Sequence, residues 1–279
     1  MEIILAKSAG FCMGVKRAMQ LALQTAKISR GGVYTCGPLI HNPQAVQYLM
    51  ENGVESLDNW KEVSNGTMII RAHGMPEKEI EEMKARGLGI VDATCPHVVT
   101  SQKQIRKYSN QDYFIIIIGD KEHPEILSLQ SFAKPGQFIV ISSFQEAISL
   151  QLPEKIMIIA QTTFNNQEFI KISGFLSKKI EKSVVCNSIC QATSERQEEI
   201  KKLAAHVEAV VVVGGKASAN TRRLAEIAAS MCSRTYHVET ETELQNINFR
   251  NVTRVAVTAG ASTPDFITDK IIAYLQNFK

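Results

Sequence analysis

Three cysteines occupy one kind of local setting, each following a short apolar run and opening a segment with helical character. They are Cys12 in Gly-Phe-Cys-Met-Gly-Val, Cys95 in Asp-Ala-Thr-Cys-Pro and Cys190 in Asn-Ser-Ile-Cys-Gln-Ala-Thr. The start of a helix presents free amide donors and the positive end of the macrodipole, so it favours a thiolate over a thiol. Gly10 and Gly14 flank Cys12 and let the backbone pass close to a bound group. A single cysteine is more often a small buried hydrophobe. The repetition is what raises the prospect of chemistry.

Polar residues recur with the cysteines at matched intervals. Cys12 leads to His41, Cys95 to His123 and Cys190 to Ser218, at separations of 29, 28 and 28 residues (41 − 12, 123 − 95, 218 − 190). A second step reaches His73, Thr162 and Ser262, at 61, 67 and 72 residues from the same cysteines (73 − 12, 162 − 95, 262 − 190). Each third of the chain thus offers one cysteine and two polar groups at strand ends. In parallel sheets the loops after the strands line the binding crevice. Three such sheets about a pseudo-threefold axis would bring all nine groups together.

Three thiolates without a fourth suggest an open metal site. Zinc with a water in its fourth position and a four-iron cluster with one iron not held by cysteine both satisfy that count. His41, His73, His123, Ser218, Asn220, Ser262 and Thr162 are small donors, several expected at helix N-termini, a set suited to a phosphate or diphosphate. Glu125 differs from them. It lies two residues after His123 at the start of a Pro-initiated helix, where it could relay protons or simply complement the helix dipole.

The elements needed to position these groups alternate along the chain. Strands are expected at Glu2–Lys7, Val33–Cys36, Thr67–Arg71, Gly89–Asp92, Tyr113–Ile118, Gln137–Ser142, Lys155–Ala160, Ser183–Val185, Ala209–Val213, Thr235–Val238 and Arg254–Thr258. Helices are expected from Val15 to Lys27, Asn42–Met50, Pro76–Arg86, from Cys95 to Tyr108, Pro124–Phe132, Phe144–Leu150, Asn166–Lys179, from Cys190 to His206, Thr221–Ala229 and from Pro264 onward. This alternation means α/β with largely parallel sheets. Three small α/β domains are expected, at 1–95, 96–190 and 191–279, with Glu2–Phe11 open to pairing with the third.

Bulk composition narrows the function classes. With 44% hydrophobic and 21% charged residues the chain is an ordinary globular protein, and a net charge of +3 is too mild to argue for nucleic acid. The longest apolar runs are strand-length, so no membrane span is expected. Glu2 and Lys7 interrupt the N-terminal apolar run, so no signal peptide is expected either. The six cysteines contain no C-x-x-C pair, and a cytoplasmic location with unpaired thiols follows as the expectation.

The motifs around these residues resemble one family throughout. Gly10–Val15, Gly37-Pro38-Leu39-Ile40-His41-Asn42, Arg71-Ala72-His73-Gly74, Asp92-Ala93-Thr94-Cys95-Pro96 and His123-Pro124-Glu125 are similar to the 4-hydroxy-3-methylbut-2-enyl diphosphate reductases. So are Gln161-Thr162-Thr163, Cys190 with Ala192-Thr193 and Arg196-Gln197, Ser218 with Asn220, and Gly260–Asp265, in order along the whole chain. The resemblance implies an oxidoreductase that ends the non-mevalonate isoprenoid pathway by reductive dehydroxylation, yielding isopentenyl and dimethylallyl diphosphate. It implies three α/β domains about a pseudo-threefold axis, with a central cluster and substrate cavity. Cys12, Cys95 and Cys190 would hold one 4Fe-4S cluster whose fourth iron is open to substrate. Glu125 would be the proton donor, with Thr162 orienting the substrate hydroxyl. His41, His73, His123, Ser218, Asn220 and Ser262 would hold the diphosphate, and ferredoxin or flavodoxin would supply electrons.

Three positions depart from the family pattern: Ala219 where a second serine is common, Gln191 in place of a tyrosine, and Ser128 where a glycine often follows His-Pro-Glu. The last departure predicts a different course for that loop. Cys36, Cys186 and Cys232 lie outside the motifs and are expected to pack. The alternative from another class is a non-catalytic iron–sulfur sensor or binding protein on the same scaffold, which would need neither Glu125 nor Thr162.

Overall fold

The structure, a computed structural model, describes residues 1–278. Twelve strands and ten α-helices alternate along them. The strands are β1 (Glu2–Leu5), β2 (Val33–Cys36), β3 (Val54–Leu57), β4 (Thr67–Ile70), β5 (Gly89–Asp92), β6 (Phe114–Ile118), β7 (Phe138–Ile141), β8 (Lys155–Ala160), β9 (Lys182–Cys186), β10 (Ala209–Val213), β11 (Thr235–Val238) and β12 (Arg254–Ala259). The helices are α1 (Met13–Ile28), α2 (Pro43–Glu51), α3 (Glu77–Ala85), α4 (Pro96–Asn110), α5 (Pro124–Gln130), α6 (Phe144–Ile148), α7 (Asn166–Lys179), α8 (Gln191–Ala204), α9 (Ala219–Met231) and α10 (Asp265–Gln276). Among the described residues no helix is long and apolar enough to cross a membrane.

The strands form three four-stranded, all-parallel sheets with one strand order: β3-β2-β4-β5, β7-β6-β8-β9 and β11-β10-β12-β1. In the third sheet β1 takes the edge place that β5 and β9 hold in the others, pairing with β12 from Glu2 opposite Arg254 to Leu5 opposite Val257. The fold is therefore α/β with three similar sheets. It also regroups the site residues. Spacing along the chain joined each cysteine to the polar residues that follow it, whereas the sheets join it to those that precede it. Cys95 follows the edge strand of the sheet whose inner strands lead to His41 and His73. Cys190 stands so to His123 and Thr162, and Cys12 to Ser218 and Ser262.

Why these sheets form is plain from their inner strands. The segments Phe-Ile-Ile-Ile-Ile of β6 and Ala-Val-Val-Val-Val of β10 are β-branched almost throughout, and four residues of β6 and all five of β10 are buried. Such runs suit parallel strands covered by helices on both faces. One face of the β6–β8 pair packs Ile116, Ile118 and Ile158 on Phe169 and Leu176 of α7. The other packs Ile115, Ile117 and Ile159 on Ile105 of α4 and Leu129 of α5. Each such side chain fully buried stabilises by roughly 1.5–3 kcal/mol relative to exposure.

The chain divides into two compact units. One comprises Met1–Lys16, Ile40–Asn52 and the residues from Gln191 onward; the other comprises Arg17–Leu39 and Gly53–Cys190. The sheet containing β10 belongs to the first and the other two sheets to the second.

Most expected elements are present with ends moved by one or two residues. Helix α1 starts at Met13 rather than Val15, directly after Cys12. Strand β3 and the 3-10 turns at Trp60–Glu62 and Glu241–Asn246 were not expected. Ser128 corrects another expectation: it lies inside α5, not in a rerouted loop. Cys36 and Cys186 pack beside apolar clusters, and Cys232 is buried within one.

Candidate active site

In the unit that holds Glu125, the two sheet ends meet at a pair of histidines. His73, after β4, and His123, after β6, stand edge to face with ring centroids 5.5 Å apart. His123 is the N-cap of α5, and its Nδ1 accepts the Glu125 N–H at 3.1 Å. That bond requires an unprotonated Nδ1, so the neutral ring carries its proton on Nε2 and presents a donor there. Pro124 at the first helical position sets the turn, and Glu125 follows at the second.

Glu125 is 2% exposed, and Thr162 holds both oxygens of its carboxyl group. The Thr162 N–H donates to Oε1 at 2.7 Å and the Thr162 hydroxyl bonds Oε2 at 2.8 Å. Burial pushes the carboxyl up to about 7, against the two Thr162 hydrogen bonds, which pull it down. A carboxylic acid poised near neutrality can release a proton at physiological pH. Thr162 also ties this acid to a cysteine, since its carbonyl accepts the Cys190 N–H at 2.9 Å. Cys95 is the N-cap of α4, and its N–H donates to Ala72 O at 2.9 Å, next to His73.

Ser128 supports this end of the unit. Its hydroxyl is fully buried, donates to Met75 O at 3.2 Å and accepts from Gln102 Nε2 at 3.0 Å. Gly74 leaves the room: at φ +81°, a Cβ there would lie 2.6 Å from Ser128 Oγ and 2.8 Å from Gln102 Nε2.

In the other unit, Cys12 N–H donates to Ala261 O at 3.1 Å, and the neighbouring Ser262 hydroxyl donates to His41 O at 3.3 Å. Ser218 caps α9, accepting the Thr221 N–H at 3.3 Å, and Asn220 is the second residue of that helix. Asn220 is 5% exposed, yet neither its Nδ2 nor its Oδ1 has a hydrogen-bond partner among the described residues. An unpaired buried amide costs roughly 1–3 kcal/mol, so the position suits a polar ligand that would complete it. Gly215 makes the close approach of this loop, because a Cβ there would meet His41 O at 2.5 Å.

The structure thus joins Cys12, His41, Ser218, Asn220 and Ser262 in one unit, and Cys95, Cys190, His73, His123, Glu125 and Thr162 in the other. Among the described residues, no three or more His, Cys, Asp or Glu side chains form a group that could hold a metal ion. The chemistry of the donors still fits an iron–sulfur cluster. Cys12, Cys95 and Cys190 are half-buried at strand-to-helix corners, while the remaining cysteines pack beside or within apolar clusters. Spacing gave no sign of Arg17, Ser8 or Glu199, which hold the loops before two of these cysteines.

Comparison with known proteins points one way. The profile of the LytB protein family matches residues 3–276. The chain is 44% identical over 281 residues to the 4-hydroxy-3-methylbut-2-enyl diphosphate reductase of Geobacter sulfurreducens, covering 100% of this chain and 98% of that protein. It is 41% identical over 277 residues to the enzyme of the same name from Aquifex aeolicus, covering 99% and 96%. Among solved structures it is similar to (E)-4-hydroxy-3-methyl-but-2-enyl diphosphate reductase, described as the terminal enzyme of the non-mevalonate pathway, at TM-score 0.75 and 40% identity over 100% of both chains. The Plasmodium falciparum E-1-hydroxy-2-methyl-but-2-enyl-4-diphosphate reductase is similar at TM-score 0.94 and 27% identity, over 99% of this chain and 88% of that one.

Proposed function

The chain belongs to the LytB family, and on that premise we propose how its own residues carry the family's reaction. It is a 4-hydroxy-3-methylbut-2-enyl diphosphate reductase, an oxidoreductase of the non-mevalonate pathway. The reaction takes two electrons and two protons: the allylic C–O bond breaks, a C–H bond forms, and the oxygen leaves as water. Isopentenyl and dimethylallyl diphosphate are the two products, according to which allylic carbon takes the proton.

Cys12, Cys95 and Cys190 are the residues that would hold a 4Fe-4S cluster. When bound, that cluster supplies the electrons and a Lewis-acidic iron for the leaving hydroxyl. The diphosphate is held by His41, His73, His123, Ser218, Asn220 and Ser262. His123 donates from Nε2, the nitrogen left to it by the Glu125 N–H, and Asn220 finds the partner that its buried amide lacks. Glu125 delivers the proton and Thr162 orients both that acid and the substrate hydroxyl.

The observation that carries this reading is the Glu125–Thr162 pair: a fully buried acid, kept near neutrality, has no evident use in a sensor. Electrons come from ferredoxin or flavodoxin, and the reducing conditions that thiolate ligands need place the enzyme in the cytoplasm. Anaerobic reconstitution with iron and sulfide, followed by turnover of the allylic diphosphate with a reduced dye, tests the whole. About four iron atoms per chain and release of both products are expected. A colourless zinc protein would refute the cluster, and an iron-loaded but inert one would favour the sensor.

A further inference from the structure

The loops that lead into two of the cysteines are gripped by arginines on helices that begin next to other cysteines. Arg196 lies six residues after Cys190, on α8, and is 5% exposed. Its Nη2 donates to Gly10 O at 2.7 Å and its Nη1 to Ala192 O at 2.8 Å, so one guanidinium fastens the first turn of α8 to the corner before Cys12. One turn further along α8, Glu199 accepts the N–H groups of Lys7 at 2.7 Å and Ser8 at 2.9 Å, and the Ser8 hydroxyl as well. Gly10 is at φ +91°, and a Cβ there would come within 2.5 Å of Asp265 Oδ1, so the corner has little room to relax.

The same device recurs in the other unit. Arg17 lies five residues after Cys12, on α1, and donates from Nη1 to Thr94 O at 3.2 Å and from Nη2 to Asp92 O at 3.3 Å. Those carbonyls belong to the turn that delivers Cys95, and Asp92 Oδ1 accepts the Thr94 N–H at 2.9 Å within it. The third corner is fastened differently. Before Cys190, Ser188 Oγ accepts the Ala160 N–H at 2.9 Å and donates to Ala160 O, while Thr100 and Ser101 of α4 bond back to their own helix.

We propose that Arg196 and Arg17 are positioning residues for the cluster: Arg196 holds the Gly10 carbonyl before Cys12 and Arg17 holds the Asp92 and Thr94 carbonyls before Cys95, so that both cysteines meet the iron already oriented. This rests on the assignment of Cys12, Cys95 and Cys190 as cluster ligands. A trans peptide places its N–H opposite its C=O, so the bond to Gly10 O also fixes the direction of the Phe11 N–H. Arginine suits the task because its planar fork reaches two carbonyls at once and stays charged when buried. The charge of Arg196, the buried one of the two, would also favour the more negative reduced state of a cluster held by these cysteines.

The test uses Arg196→Met, Arg196→Lys and Arg17→Met in the full chain. In the cluster-free protein, amide hydrogen exchange is read at residues 8–12 and 92–95; in the reconstituted protein, the rate of iron loss to a chelator and the midpoint potential are read. Arg196→Met is expected to speed exchange at 8–12 at least tenfold and iron loss several-fold, and to lower the potential. Arg196→Lys should recover the potential but not the slow exchange, a split that a merely structural role would not produce. Arg17→Met should act in the same way at 92–95, and it decides the matter if Arg196→Met does not fold. Wild-type exchange and iron retention in the folded arginine variants would overturn the proposal. If the wild-type chain itself takes up no cluster, the ligand assignment fails, and with it the role proposed for both arginines.

Discussion

Glu125 gives both of its carboxyl oxygens to a single residue: the Thr162 backbone N–H lies 2.7 Å from Oε1 and the Thr162 hydroxyl 2.8 Å from Oε2. Two opposing effects meet in this pair. Burial disfavours the ionised form and the Thr162 hydrogen bonds favour it, and burial prevails to leave the group at about 7. Without Thr162 the carboxyl would be held further from neutrality, a weaker proton donor in a dry site. Thr162 therefore tunes the acid as well as aiming it.

Glu125→Gln should abolish nearly all turnover, by roughly 10²–10⁴-fold if general acid catalysis is what is lost. The amide keeps an oxygen for the Thr162 N–H and offers an NH₂ to the threonine hydroxyl, so the local geometry survives. Iron content and the cluster's absorption should match the wild type. In the wild type, turnover should decline above a pH of about 7, approaching tenfold per pH unit as the acid form is titrated away. A flat profile to pH 9, or a Gln variant with ordinary turnover, would remove Glu125 from the role.

The same group makes a claim about stability. An ordinary glutamate of the unfolded chain releases its proton near 4.5, while folded Glu125 keeps it to about 7. Between those values the folded state binds the extra proton, so stability falls as pH rises through the interval and is level beyond it. The loss amounts to about 3 kcal/mol at most. Denaturant unfolding of cluster-free protein at pH 5 and pH 8 should show it, and Glu125→Gln should not share this drop. Equal pH dependence in the two proteins would mean that Glu125 is not the group responsible.

How much of this could be read from the sequence depends on what kind of contact made each feature. Strands such as Ala209–Val213 and Lys155–Ala160 declare themselves, because a buried parallel strand is apolar on both faces. Strand β3, Val-Glu-Ser-Leu, does not: it is a short edge beside β2, with only Val54 buried, and its pattern is that of a loop. The threefold recurrence of the site residues was legible as spacing. Its true phase was not, because β1 joins the third sheet through a pairing some 250 residues away in the chain, which no local signal encodes. Side-chain clamps such as Arg196 to Gly10 O are invisible for the same reason.

Ser128→Gly restores the residue expected at that point of the family motif, and it should nevertheless destabilise this protein. The Ser128 hydroxyl bridges Gln102 Nε2 and Met75 O in a fully buried position. Its removal strands both partners, at roughly 1–3 kcal/mol, and a glycine inside α5 adds about 1 kcal/mol more. The melting temperature should fall by several degrees with iron content unchanged. Simultaneous Gln102→Leu should recover part of the loss, since it removes the stranded donor. An unshifted melting temperature for Ser128→Gly would show that water replaces the hydroxyl at no cost.

Gly215→Ala tests whether His41 must stand where the structure puts it. The added Cβ would lie 2.5 Å from His41 O and 3.3 Å from His41 C, and both are backbone atoms that cannot swing aside. The turn bearing His41 must therefore shift, and with it the bond from the Ser262 hydroxyl to His41 O. The apolar strands β10 and β12 beneath remain packed as before, so the fold should persist with little change in melting temperature. A displacement of about 1 Å in a binding group can cost on the order of 10²-fold. If, as proposed above, His41 and Ser262 hold the diphosphate rather than the reacting carbon, KM should rise at least about tenfold while kcat falls much less. Inorganic diphosphate should likewise weaken as a competitive inhibitor. A variant with wild-type KM and wild-type inhibition would show that the His41 turn does not contact the substrate's diphosphate.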